Sequence, residues 1–524
     1  MPRLFTTTDP RPIRHRSTLS RRTFLTGLAA VPVIATVGCS PRTTAGAAPD
    51  TLRPLPIPPL APSTVDATGT RRFTLTAASG TTEMIPGKRT PTWGFNGSIL
   101  GPTIRARRGE KVGFTITNRL PEPTTVHWHG MHVPARHDGG PHQTIAPGGT
   151  WKPEWTVNQP GATLWYHPHP HGSTEKHAYR GLAGMFLVDD DQTTTAALPH
   201  DYGVDDIPLI VQDRRFTASG ALDESSPSDI GLLGDTIITN GIAGTYFDVA
   251  GPRVRLRILN GSGGRMYNFG LADGSAFSMI ASDGGLLPRP VSLTRLALSP
   301  GERAEIVVSV GQSPVRLRAF PFDDPQGIGN DDAAQFGLDD SFDILELRPA
   351  ETRTPAPALP TSLATISQLN PATAAVRRRF DLQWYMINRQ RMDMNRIDHT
   401  SRVDTTELWT VRNRDNWPHN FHVHDTQFQI VDVDGRRPPA HLSGWKDTVY
   451  VPPGSTIRLI LRFSDYTDPT FPYMYHCHLM LHEDQGMMGQ FLVLAPGQRP
   501  APMTMPMSGP DAMPGMDHGS GSGH

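Results

Sequence analysis

The chain has 524 residues and a formal net charge of -1, long enough for about three domains of ~100 to 200 residues each. Without a global basic field, recruitment of nucleic acid or of an anionic membrane is excluded, so partners are small or local. Its 50 Gly and 51 Pro residues, beside 37% hydrophobic content, suit a β-rich protein with many turns and argue against a helical bundle.

At the N-terminus, Ser20-Arg21-Arg22-Thr23-Phe24-Leu25 precedes a short apolar run to Gly38 and the small-residue stretch Ala45-Gly46-Ala47. Residues 1–47 read as a twin-arginine signal, so the mature chain is expected outside the cytoplasm, in the periplasm, on the cell surface or secreted. Cleavage after Ala47 and lipidation at Cys39 are the two alternatives; Thr36 and Val37 fit a lipid-attachment motif poorly. No later stretch approaches the ~20 apolar residues of a membrane span, so no transmembrane anchor is expected. The mature chain is also expected to be a monomer. Once Cys39 is removed, Cys477 is the only cysteine left. A lone thiol in a compartment where disulfides are common needs an explanation, and metal ligation supplies one.

Alternating apolar and polar residues predict short strands at 72–76, 111–117, 253–259, 303–310, 407–411 and 455–463. A Pro-Gly turn recurs at Pro147-Gly148, Pro300-Gly301 and Pro453-Gly454, at equal intervals of 153 residues. Upstream of each turn a strand ends in Asn, at Asn118, Asn260 and Asn413. The pattern predicts three copies of one β-sandwich unit, over 60–193, 200–350 and 375–498. A stretch rich in Pro, Ala and Thr around 349–375 joins the last two. Residues 499–524 form a Met-, Pro-, Gly- and His-rich tail expected to lack a core. Its thioethers could capture cuprous ion, or the tail could have no role.

Four His-X-His pairs follow: His127/His129, His167/His169, His422/His424 and His476/His478. On a strand, side chains two apart share a face, so each pair can present two imidazoles to one metal cluster. Two pairs lie in the first unit and two in the third, whereas the middle unit shows Tyr267-Asn268-Phe269 in the corresponding region. The cluster should therefore sit between the first and third units. His171 is assigned a structural role, because Gly172 follows and a turn begins there.

The last segment adds Cys477, His482 and Met487, the thiolate, imidazole and weak thioether of a blue electron-transfer copper, with His419 as the candidate for the second imidazole. Met488 is a chemical rival of Met487. Because Cys477 faces away from His476 and His478, one strand can hold the blue copper on one side and the cluster on the other.

The segments His127-Trp128-His129-Gly130, Trp165-Tyr166-His167-Pro168-His169, His419-Asn420-Phe421-His422-Val423-His424 and His476-Cys477-His478 resemble the four signature segments of the multicopper oxidases. The likeness is greatest to bacterial three-cupredoxin laccases, including copper-efflux oxidases and bilirubin-oxidase relatives, and covers nearly all of 60–498. It implies an all-β chain of three consecutive cupredoxin-like Greek-key sandwiches with four copper ions. Type 2 copper would take His127 and His422. The type 3 pair would take His129, His167, His169, His424, His476 and His478. Type 1 copper would take His419, Cys477, His482 and Met487, the last at the family's spacing of ten from the cysteine. Asn420 departs from the family by standing where Pro is frequent, which removes no ligand. The implied partners are dioxygen and a small reductant, a phenol or a metal ion such as cuprous ion. Two other readings are a copper carrier and a copper-free structural protein on the same fold.

Reducing dioxygen to water consumes protons, so acids are required near the cluster. The resemblance points to Asp138 and Glu483; capping a turn is the alternative role for each. Asp415 either orients His419 or meets the substrate. Trp417 and Pro418 either shape the electron-uptake edge or serve packing. His132, His137, His142 and His177 are expected to be solvated and without a role.

Overall fold

The computed structural model describes residues 51–502 apart from 226, 324–325 and 352–357. The twin-arginine segment, Cys39 and the tail from Met503 onward lie outside the described residues. The strands expected from alternation are found at Arg71–Thr82, Lys111–Asn118, Arg253–Asn260, Arg303–Ser309, Thr406–Asn413 and Thr456–Arg462. In Lys111–Asn118, for example, Val112, Phe114 and Ile116 are buried while Lys111, Thr115 and Thr117 reach toward solvent. Burying each such apolar side chain contributes ~1.5 to 3 kcal/mol, which is what selects the register.

Three pairs of sheets result. Residues 63–189 form sheets of six and four strands, 206–349 contribute to sheets of seven and six, and 376–494 form two sheets of five. Each pair encloses its own apolar cluster. The same construction recurs in each. The strand ending in Asn118, Asn260 or Asn413 lies parallel to Arg71–Thr82, Asp206–Arg214 or Val376–Gln383 respectively. Parallel neighbours need a crossover connection, which gives a sandwich rather than a meander. The three asparagines explain the recurrence. Each Nδ2 donates to two backbone carbonyls: Glu122 and Ile145, Arg265 and Leu298, or Trp417 and Val451. The Pro-Gly turns have Gly148, Gly301 and Gly454 at φ of 77°, 84° and 71°, a region that favours glycine.

The register of the sheets places the histidines. Strands His127–His129 and Ala162–His167 run antiparallel with His167 opposite His127, and His419–Val423 meets Tyr473–His476 with His422 opposite His476. Alternation then divides the faces. Trp128 points into the first core, 4.3 Å from the Phe114 ring, and Phe421 into the third, leaving the flanking imidazoles to the other side. His169, His424, Cys477 and His478 lie just past the strand ends, where the alternation continues without strand pairing.

Candidate metal centre

The eight histidines of the four pairs are all buried and converge from residues 127–169 and 422–478. Donor nitrogens lie within 4.8 Å of one another in the sets His127/His422/His424, His127/His129/His167 and His169/His424/His476. Six of the rings are oriented from behind. The Nδ1 of His127 donates to the Asp138 carbonyl (3.0 Å), of His167 to Pro168 (2.8 Å), of His422 to Asp447 (2.9 Å) and of His476 to Cys477 (3.1 Å). His424 Nδ1 donates to Asp138 Oδ2 at 2.7 Å. His129 is reversed: its Nε2 donates to Asp447 Oδ1 and Thr448 Oγ1, both at 3.0 Å.

A neutral imidazole that donates from one nitrogen keeps a lone pair on the other. Six lone pairs are thereby turned inward. His127 Nε2, His129 Nδ1 and His422 Nε2 are buried with no hydrogen-bond partner, and His424 Nε2 and His476 Nε2 face each other at 3.2 Å. Buried polar atoms are rarely left unpaired, and lone pairs are not held against one another without a cation. Burial adds to this by lowering the pKa of His129, His167, His169, His422, His476 and His478, which keeps the rings unprotonated. The donor set fits copper, for which imidazole is a good ligand.

A second set sits on the far side of residue 477. Cys477 Sγ lies 3.7 Å from His419 Nδ1 and 3.5 Å from His482 Nδ1, and the two nitrogens are 3.0 Å apart. His482 Nε2 donates to the Asp229 carbonyl at 2.9 Å, while His419 Nε2 lies 3.4 Å from Asp415 Oδ2, so Asp415 orients that ring. Burial pushes the Cys477 thiol up to about 12, so a thiolate there requires a neighbouring cation. Met487 is fully buried in the same cluster as Cys477, and its amide bonds the His482 carbonyl; Met488 pairs instead with His476 across the sheet. Asn420 ties the two sets together, accepting from the His478 amide and donating to the Pro300 carbonyl at 2.9 Å.

The two acids have opposite character. Burial disfavours the charge on Asp138, but His424 and His127 outweigh it and hold the carboxyl below its usual range. Glu483 is raised well above its ordinary value, first by burial and then by Asp484. Its Oε1 lies 3.1 Å from His169 Nδ1 and accepts from Thr174 at 2.6 Å, and its Oε2 lies 3.4 Å from His476 Nδ1 without a hydrogen bond.

Three of the histidines expected to be solvated are buried. His132 pairs with Asp425 at 2.8 Å, His142 with Gln490 at 2.8 Å and His177 with Glu122 at 2.8 Å. For His132, burial opposes the charge, yet Asp425 and Asp465 push its pKa up to about 9. A turn begins at His171, as expected, and its side chain is exposed.

Sequence reasoning missed Asp447, Thr448 and Arg303, which hold His129 and His422. It also missed Glu175, on the short helix Thr174–Tyr179, whose carboxylate accepts from the Leu232 amide at 2.7 Å. Burial pushes the Glu175 pKa up to about 8 from 4.5. Between those values the folded chain holds a proton that the unfolded chain has released, so this site loses stability as pH rises through the window. Glu175→Gln keeps the acceptor and removes the charge. The variant is expected to flatten the fall in Tm between pH 5 and 8.5 and to be more stable than the parent at pH 8.5 by on the order of 1 to 2 kcal/mol. An unchanged slope by calorimetry would reject this role for Glu175.

The fold is of the cupredoxin type, and the two donor sets fit copper. Family models described as multicopper oxidase match residues 76–193 and 358–497. The chain is 35% identical over 444 residues to the multicopper oxidase mco of Staphylococcus haemolyticus, covering 83% of this chain and 91% of that one. It is 36% identical over 454 residues to the cell division protein FtsP of Salmonella typhimurium, covering 84% and 93%. Among solved structures, a laccase from Pediococcus acidilactici superposes with a TM-score of 0.77 at 35% identity, over 85% of this chain and 95% of that one. The chain belongs to the multicopper oxidase family.

Proposed function

We propose that the chain is an exported, laccase-like oxidase that oxidises a phenol or cuprous ion by one-electron steps and reduces dioxygen to water with four bound coppers. His419, Cys477, His482 and Met487 would hold type 1 copper. His127 and His422 would hold type 2, and His129, His167, His169, His424, His476 and His478 the type 3 pair. The observation that carries this reading is the ring of outward acceptors that turns six buried lone pairs inward. Bound copper would supply the one-electron redox chemistry that protein side chains lack. We assign the three units to 60–193, 200–350 and 375–498 and export to the twin-arginine segment. No helix of the described residues is long and apolar enough to cross a membrane.

The chain's own contribution to oxygen chemistry is proton handling. Asp138, held ionised, offers Oδ1, which lies 3.3 Å from His127 Nδ1 without a hydrogen bond, as a proton acceptor, while Glu483, held protonated, can release a proton beside His476. Carboxyls with divergent pKa values divide base and acid work in this way. Asp138→Asn is therefore expected to retain the blue band and to slow reoxidation of the fully reduced enzyme by ~10²-fold or more. Reoxidation at the parental rate, followed by stopped flow, would remove Asp138 from the proton path.

Similarity to a protein named for cell division favours one other reading, a non-oxidase role on the same fold. Metal analysis and oxygen uptake separate the two. The oxidase binds four coppers per chain and consumes dioxygen when a reductant is added. Zinc, fewer than three coppers after anaerobic reconstitution, or metal binding without oxygen uptake would reject it.

A further inference from the structure

One sheet of the third sandwich carries Val376–Gln383, Thr406–Asn413 and Thr456–Arg462 side by side. Its inner face gives Phe380, Leu382, Trp409, Val411, Ile457 and Leu459 to the third core. Alternation sends the residues between them to the other face. In register, Arg379 lies opposite Thr410, Thr410 opposite Arg458, and Arg412 between Asp381 and Thr456. Arg377, Arg379, Thr410, Arg412, Thr456 and Arg458 therefore share one outer surface, where Arg377, Arg379 and Arg412 are exposed.

A cleft of about 450 Å³ opens on this surface, lined by Arg377, Arg378, Arg379, Thr410, Arg412 and Thr456 and by no carboxylate. The nearby acids are already engaged. Asp381 accepts from Arg379 Nε at 2.9 Å and from Arg414 Nε at 2.8 Å, Asp432 from Arg458 at 2.6 Å, and Asp434 from the Thr456 amide at 2.7 Å. Arg378 turns inward to the buried Glu407. Arg377, which donates to the Pro371 carbonyl at 3.2 Å, and Arg412 are left without a carboxylate partner among the described residues. Like charges on one sheet face repel. In a chain of net charge -1 they form a local excess rather than part of a global field.

We propose that this cleft is a binding site for a phosphate group carried as a dianion, either inorganic phosphate or a phosphomonoester. A guanidinium presents a planar fork of donors that matches two phosphate oxygens at once. The Thr410 and Thr456 hydroxyls supply donors for the remaining oxygens. A dianion balances the charges of both Arg377 and Arg412, whereas a phosphodiester, with one charge, leaves one of them uncompensated. The cleft lies on an outer sheet face, so the organic part of an ester extends into solvent. None of the six lining residues belongs to either donor set, and the site stands or falls apart from the oxidase reading.

The test is calorimetric titration of the full-length, copper-loaded protein at low ionic strength with inorganic phosphate, glycerol 1-phosphate and the diester dimethyl phosphate. Phosphate and its monoester should bind saturably at one site, and the diester about 10-fold more weakly or less. Tighter binding of glycerol 1-phosphate assigns the site to an esterified phosphate, and tighter binding of inorganic phosphate to the free anion. Arg377→Gln and Arg412→Gln should each weaken binding by about 10-fold, the effect of one lost charge-assisted contact. Arg412→Lys, which keeps the charge but not the fork, should fall between that variant and the parent. Arg89→Gln, which removes the same charge from an exposed position in the first sandwich, should bind as the parent does. Arginine does not titrate in this range, whereas the second ionisation of a phosphomonoester lies near pH 6, so affinity for glycerol 1-phosphate should be about 10-fold lower at pH 5 than at pH 8. Parental affinity in Arg412→Gln would overturn the site, as would an equal loss in Arg89→Gln, which would mean diffuse attraction only. Dimethyl phosphate binding as tightly as the monoester, or affinity unchanged between the two pH values, would overturn the dianion.

Discussion

Cys477→Ser is expected to remove the intense visible band of the copper-loaded protein and to reduce oxidase turnover to the level of the metal-free chain. The sulfur lies within 3.7 Å of both His419 Nδ1 and His482 Nδ1, and a thiolate bound to cupric ion is the source of the blue colour. A serine hydroxyl is a harder donor that stays protonated and gives no such transition. The position matters as much as the atom. Residue 477 lies covalently between His476 and His478, which belong to the other donor set, so it supplies the shortest through-bond link between the two. The variant should still bind metal through the eight histidines, and type 2 copper should remain visible by electron paramagnetic resonance. Oxidase activity retained without the band would show that electrons reach the cluster by another route. Loss of all copper would instead mean that the thiolate is needed for folding.

What the sequence disclosed and what it withheld follow from the range of the interactions involved. The His-X-His pairs are local signals: a strand period of two is enough to put His127 and His129 on one face. The repeated Asn and Pro-Gly positions were legible because each makes backbone bonds that depend on the strand and its turn alone. Strands buried on both faces were not legible. Asp206–Arg214 is buried throughout and so shows no alternation. The short helices Thr174–Tyr179 and Met480–Asp484 are below the length at which helices nucleate alone. They form because they pack together, with Asp484 accepting from the amides of Thr174 and Glu175 at 2.7 and 2.9 Å. The solvated reading of His132, His142 and His177 failed for the same reason. The partners of the first two lie 293 and 348 residues away in sequence, and no window around a histidine reveals them.

Arg303 and Asp447 are the extreme case, 144 residues apart, and they give the second large effect. Arg303 comes from the middle pair of sheets, which contributes no histidine to the cluster, and its guanidinium is fully used. It donates to Asp447 Oδ1 and Oδ2 at 2.7 and 2.6 Å and to the carbonyls of Thr163, Gly301 and Asp283. Asp447, buried like its partner, then accepts from His129 Nε2 through its carboxylate and from His422 Nδ1 through its carbonyl. Asp447 thus turns His129 Nδ1 inward, and Arg303 fixes the aspartate in place. Replacing one member strands a buried charge, so Arg303→Met or Asp447→Leu alone should each destabilise the metal-free protein by about 3 to 5 kcal/mol in chemical denaturation. The double variant replaces the pair with apolar groups and should recover much of that loss. Copper affinity of the cluster should not recover. His129 has then lost its carboxylate acceptor, and groups that orient a ligand from behind are typically worth 10- to 100-fold in metal affinity. Copper titration of the double variant decides the matter: parental affinity would make the pair a stability element only, whereas weak binding by a protein of restored stability assigns it to the cluster.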